Sequence, residues 1–290
     1  MADQVERMTT ETLARPALLE ALDKSSTHRM TPVGDGQMVW RIWGTGEPLV
    51  LLHGGTGSWM HWMRNIEELS RDFMLLVPDI PGSGESAGMP LPTSVEKVAA
   101  ALLAGIDAIL GPQSRFAVAG FSMGGLISGY VASLAGERLT CLALVGATGT
   151  TAPRNKIAPM TSWRFLPTVE EKLAAHRTNL SILMVRDPAN IGEDALYMQH
   201  HNAERSRIRG KHIVPTGDLT KALPGMKSRL AGIWGEHDVT GAPYLAERKA
   251  KLEAWRPGAT FDVVPGAGHW VQYEAPDAFN RLLRARLRES

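Results

Sequence analysis

The sequence predicts an α/β protein, a mostly parallel sheet whose strands alternate with helices and which is interrupted late by a helical insertion. Three observations carry this. Short, largely apolar runs recur at 48–52, 73–77, 115–119 and 139–145, as strands buried on both faces require. Helical patterns separate most of them, so parallel neighbours are joined by right-handed crossovers. From about 150 to 225 the strand rhythm stops, and it resumes at 229.

Taken in order, residues 4–24 read as one amphipathic helix or two short ones broken at Pro16. Leu13, Leu18, Leu19 and Leu22 there need cover from the domain or from a second subunit, which leaves a homo-oligomer open. Residues 38–43 are strand-like, Gly44-Thr45-Gly46 turns, and the run 48–52 ends at His53-Gly54-Gly55-Thr56-Gly57. A helical pattern covers 58–70. The strand at 73–77 empties into the turn-rich loop 79–86. Residues 93–110 have helical periodicity, with Thr93-Ser94 as cap and Gly111-Pro112 as stop.

The strand at 115–119 ends in Gly120-Phe121-Ser122-Met123-Gly124-Gly125, and a helix runs on to about 135. Ser122 therefore sits on a sharp strand-to-helix turn, with glycines at 120 and 124 because a β-carbon would clash there. Such a turn exposes the hydroxyl, although the five-residue G-x-S-x-G pattern alone is short enough to arise by chance. The insertion at 150–225 carries Met160, Met184, Met198, Trp163 and Phe165. It is expected to form a lid over the carboxyl edge of the sheet, where open α/β sheets bind ligands. The chain thus divides into core 1–149, lid 150–225 and core 226–290. Strands at 229–234 and 260–264 and helices at 243–255 and 276–288 complete it.

Composition excludes several classes. The 290 residues are 44% hydrophobic and 21% charged, enough to bury a full core, and the formal net charge is +1. No basic stripe points to nucleic acid, and no apolar stretch is long enough for a membrane span. The N-terminus lacks the apolar region of a secretory signal, so a cytoplasmic protein is expected. Cys141, the single cysteine, lies in an apolar run and reads as an inert core thiol.

Three polar residues follow strands at one sheet edge: Ser122, then Asp238 in WGEHD, then His269 in PGAGHW. That is the chain order of a nucleophile-elbow hydrolase. A serine hydroxyl attacks well only when an imidazole takes its proton, and an imidazole titrates near neutrality. Asp238 would hold the imidazole tautomer. Glu236 is the weaker candidate for the acid, His237 faces solvent, and 146–148 offers no carboxylate. The oxyanion donors would be the N–H groups of Gly55 and Met123. His53 reads as a hydrogen-bonding brace of the first loop. His200, His201 and Glu204 read as a solvated helix face and not as a metal site. No metal or organic cofactor is expected.

The pieces HGGTG, DIPGSGES, GFSMGG, WGEHD and GAGHW together resemble the α/β-hydrolase superfamily over residues 30–289. The resemblance implies an eight-stranded, mostly parallel sheet with a helical lid. Serine at 122 in place of aspartate separates the chain from dehalogenases and epoxide hydrolases of that fold. GHWVQYEAPDAFNRLL and SMGG are similar to the meta-cleavage-product C–C hydrolases. That group usually has Asn before the nucleophile, where this chain has Phe121, and a lid Arg, where this chain aligns Gln199. Both departures remove polar groups that would hold a dienolate oxygen, which favours cleavage of a small, largely apolar carboxylic ester. Phe121, Trp163, Met198, Gln199 and Trp270 are the expected substrate wall. A ligand receptor that keeps the triad but turns over slowly is the alternative from another class.

Overall fold

The computed structural model describes residues 13–207 and 213–289. Residues 4–12 of the expected N-terminal helix lie outside them, and α1 spans Ala17–Ser25 after Pro16. Eight strands form one sheet: β1 (Thr27–Val33), β2 (Gly36–Trp43), β3 (Glu47–Leu52), β4 (Phe73–Pro78), β5 (Phe116–Phe121), β6 (Leu139–Val145), β7 (Arg229–Gly235) and β8 (Thr260–Val264). Their order is β1-β2-β4-β3-β5-β6-β7-β8. The pairs β1·β2 and β2·β4 are antiparallel and the remainder are parallel.

The apolar runs are continuous because both faces of the sheet are covered. Leu49, Leu51, Ala119 and Ala143 face a core completed by α1 and the C-terminal helix Pro276–Arg288. Val50, Leu52, Val118 and Leu142 face the other core, against α3 (Val95–Leu110) and α4 (Met123–Ala135). Ser94 caps α3 by accepting from the Lys97 N–H. Buried Cys141 has its thiol pushed up to about 11 by desolvation, as suits an unreactive core residue.

Two expectations need revision. Residues 58–70 do not make one helix; they form a 3₁₀ turn, Trp59–Trp62, and the short helix α2, Ile66–Leu69. Strand β1 is a further element, exposed over most of its length and ending in buried Val33. Among the described residues the segment 150–225 contains helices and no strand, chiefly α5 (Val169–Leu183) and α6 (Glu193–Arg205). It is fastened to the core near its middle. Glu274 accepts from Arg186 N–H (2.8 Å), Asp187 N–H (3.1 Å) and Gly268 N–H (2.6 Å). Arg64 donates to Asp194 (3.2 Å) and to the Tyr273 hydroxyl (2.8 Å), which donates in turn to Asn190 O (3.0 Å).

Candidate active site

The register sets the site. Leu52 pairs with Gly120, Phe121 with Val145, Val145 with Ile233, and Gly235 with Val264. The carboxyl ends of five parallel strands therefore finish together, and the loops after β3, β5, β7 and β8 share one edge. Ser122 follows the central strand with φ 53° and ψ −115°, a left-handed conformation costly for a serine. The turn is tight enough to dictate its neighbours. A β-carbon at Gly120 would lie 2.4 Å from Gly124 O, and one at Gly124 would lie 2.4 Å from His53 O. Ser122 N–H donates to Val145 O at 2.9 Å, which fixes the elbow to β6.

The three loops deliver a connected chain of side chains. Ser122 Oγ lies 3.1 Å from His269 Nε2, and His269 Nδ1 lies 2.9 Å from Asp238 Oδ2. Asp238 is fully buried, and its other oxygen accepts from the Thr240 N–H and hydroxyl, both at 2.8 Å. Burial pushes the Asp238 pKa up. The charge and hydrogen bond of His269, with the two Thr240 bonds, outweigh burial and hold the carboxyl below its ordinary value. An ionised, oriented carboxylate fixes the proton on Nδ1 and leaves Nε2 free to accept from a hydroxyl. Thr240 is a partner that the sequence reading missed; the D-x-T spacing, typical of a local side-chain-to-backbone turn, is the signal that carries it. Glu236 and His237 are exposed, and Glu236 accepts from Gly266 N–H (2.9 Å).

Gly55 is the exposed residue of the otherwise largely buried loop after β3, and Met123 occupies the first position of α4, whose N–H has no acceptor within the helix. Thr56 beside Gly55 also has a positive φ, 52°. His53 is fully buried, accepts from Ile80 N–H at Nε2 (2.9 Å), and so donates from Nδ1 to Gly54 O (2.8 Å). Burial pushes its pKa down to about 4, which keeps it a neutral brace.

Of the expected wall residues, Phe121 is buried with its ring 5.0 Å from the His269 ring. Met198 and Trp270 are fully buried; the Trp270 indole donates to His61 O (2.9 Å) and its ring stacks on Tyr273. Gln199 is half-buried on α6, and Trp163, also half-buried, packs on His176 with ring centroids 5.0 Å apart. His200 lies 3.8 Å from Glu204, while His201 stacks on Tyr197. A cavity of about 560 Å³ opens beside the acid loop, with Lys156, Arg186, His237 and Val239 in its lining.

Known proteins resemble the chain along its length. It is 28% identical to a 2-hydroxy-6-oxo-6-phenylhexa-2,4-dienoate hydrolase from Burkholderia cepacia, covering 90% of this chain and 96% of the relative. It is 26% identical to a 2-hydroxy-6-oxononadienedioate/2-hydroxy-6-oxononatrienedioate hydrolase from Comamonas testosteroni, covering 91% and 97%. Among solved structures, an esterase from Rhodococcus superposes with a TM-score of 0.71 at 20% identity, covering 91% of this chain and 98% of its own, a likeness of fold. The alpha/beta hydrolase family model matches residues 49–282, from β3 through the elbow and the histidine loop into the last helix. The chain, a hydrolase, therefore belongs to the alpha/beta hydrolase family.

Proposed function

We propose that the protein hydrolyses a small, largely apolar carboxylic ester through an acyl-enzyme on Ser122. The observation that carries the reading is the unbroken path from Ser122 Oγ through His269 to Asp238, at 3.1 and 2.9 Å. Ser122 Oγ attacks the ester carbonyl while His269 Nε2 takes its proton. The Gly55 and Met123 N–H groups receive the oxyanion, and the imidazolium returns its proton to the departing alcohol. Water then attacks the acyl-enzyme with His269 again as base, which releases the acid. The helical insertion serves as the lid, with Phe121, Trp163, Met198, Gln199 and Trp270 forming the substrate wall.

A second reading, hydrolysis of a C–C bond in a dienoate, is favoured by the names of the two relatives and by Lys156 and Arg186 in the cavity beside the acid loop, which suit a carboxylate. Against it, a dienolate oxygen needs a buried donor beside the serine, and Phe121 supplies a hydrocarbon ring. Ester hydrolysis should exceed dienol hydrolysis at least tenfold in kcat/KM, about 1.4 kcal/mol in transition-state binding. Both constants are measured on one preparation. A preference for the dienol overturns the ester reading, and a single slow burst with no steady state points to a receptor.

A further inference from the structure

We propose that His61 is a positioning residue of the oxyanion hole, holding the Gly54 N–H so that the next peptide presents the Gly55 N–H to the substrate. The inference rests on the ester reading above.

Gly54 and Gly55 are consecutive glycines, the backbone with the most freedom to lose on ordering. A β-carbon at Gly54 would crowd the Phe121 ring at 3.0 Å and Ser122 Cβ at 3.2 Å. No side chain can stiffen this segment from within, so its order has to come from outside. The two peptide planes that meet at Gly54 are each pinned by an imidazole. The Gly54 N–H donates to His61 Nδ1 at 3.1 Å, and Gly54 O accepts from His53 Nδ1 at 2.8 Å. The second plane is the one that carries the Gly55 N–H, so fixing both planes fixes that donor's direction. Preorganised donors of this kind cost no reorganisation at the moment of reaction.

His61 is itself held on several sides. A β-carbon on Gly57 would lie 2.5 Å from its Cε1, so the ring lies flush against that glycine. Its carbonyl accepts the Trp270 indole, one residue past His269. Its ring meets Phe121 edge-on at 5.5 Å, one residue before Ser122. One imidazole thus touches the oxyanion loop, the elbow and the histidine loop together. Accepting at Nδ1 places its proton on Nε2, and that buried nitrogen has no hydrogen-bond partner among the described residues. Folding retains this unsatisfied donor together with the Nδ1 acceptor. Burial first, then the nearby His53 and His269, push the His61 pKa well down, so it stays neutral and able to accept.

The experiment compares His61→Phe, which keeps a ring but loses the acceptor, with His61→Asn, whose Oδ1 can replace Nδ1. The readouts are kcat and KM for a p-nitrophenyl ester and the affinity of an arylboronic acid, which forms a tetrahedral adduct on a catalytic serine. For His61→Phe, kcat should fall by roughly 10- to 100-fold with KM changed less than about threefold, and boronate affinity should fall in parallel. For His61→Asn both should return to within about fivefold of wild type. A role confined to packing would lower the unfolding midpoint and leave these constants in place. The inference is overturned by His61→Phe with wild-type kcat, by a kcat loss that spares the boronate, or by His61→Asn no better than His61→Phe. If His61→Phe does not fold, His61→Asn decides alone, and a boronate loss beyond about fivefold overturns the inference. A wild-type enzyme that neither turns over the ester nor binds the boronate removes the ester reading itself. Wild-type activity with an indifferent His61→Phe removes this inference only.

Discussion

The carboxyl edge of the sheet and the helical insertion satisfy their buried polar groups to different degrees. At the edge, Asp238 accepts from His269 and twice from Thr240, and both nitrogens of His53 are bonded. Nε2 of His61, Nε1 of Trp234 at the end of β7 and both amide atoms of Gln272 just past the histidine loop are exceptions there. In the insertion, both nitrogens of fully buried His176, Nδ1 of His200 and both amide atoms of Asn202 have no partner among the described residues. Each such group costs on the order of 1–3 kcal/mol. The difference teaches that the triad loops are held in fixed geometry, whereas the α5–α6 face of the insertion carries uncompensated polar groups and is expected to open at lower free energy. Its anchor is sound, since Glu274 takes two backbone N–H groups across the junction, those of Arg186 and Asp187, and is itself held by the Gly268 N–H. Opening should therefore start between α5 and α6.

The largest expected effect is at the edge. Ser122→Ala and His269→Ala should each lower ester kcat by roughly five to six orders of magnitude, because such groups act as a unit. Asp238→Asn should lose about three to four orders, since the amide presents the wrong partner to His269 Nδ1. Circular dichroism should be unchanged in all three. Near-wild-type turnover in any of them breaks the account of the edge.

A middle-sized effect concerns pH and joins the two regions. Burial holds His53 of the edge at about 4, and burial with His200 and Lys172 nearby holds His176 of the insertion at about 4. Both fold neutral, while the unfolded chain takes up their protons near 6.5. Stability from these groups is present above about 6.5 and is lost as pH falls toward 4. Asp79 opposes them. Burial, only partly offset by Arg41 and the Glu85 and Trp59 N–H groups, raises it to about 6, so its contribution is lost as pH rises from about 4 to 6. Two histidines against one aspartate give a net loss on acidification, read as a lower urea midpoint at pH 5 than at pH 7. A midpoint that rises on acidification contradicts this balance.

The smallest effect sharpens the contrast. His176→Leu removes two unpartnered nitrogens from an apolar site beside Trp163, so stability should hold or rise by about 1 kcal/mol. Hydrogen exchange in α5 and α6 should slow while β5 and β6 stay as they were. A destabilisation above about 2 kcal/mol would mean that His176 has a partner and that the insertion is as well satisfied as the edge.

Much of the edge was legible in the sequence because sterics leave few alternatives there. Gly120 and Gly124 are dictated by backbone oxygens within 2.5 Å of where their β-carbons would lie, and strand ends in register oblige Ser122, Asp238 and His269 to converge. What escaped depends on partners far away in the chain. Strand β1 shows little alternation and holds its place through β2. The helical pattern of 58–70 yields to a 3₁₀ turn in which His61 is directed back at Gly54. Glu274 looks like an ordinary first-turn acid until the chain 88 residues earlier is brought against it. The insertion was legible as helical but not in its packing, since α5 and α6 bury one histidine, His176, and two asparagines, Asn179 and Asn202, where periodicity suggests apolar contacts.

The most direct test of the central claim is to quench the protein during turnover of a p-nitrophenyl ester and map the acyl group by peptide mass spectrometry. The account predicts one acylated site, Ser122, with the adduct accumulating in step with the p-nitrophenol burst and absent from Ser122→Ala. Acylation at another residue, or steady ester hydrolysis by Ser122→Ala with no adduct on the wild type, would contradict it.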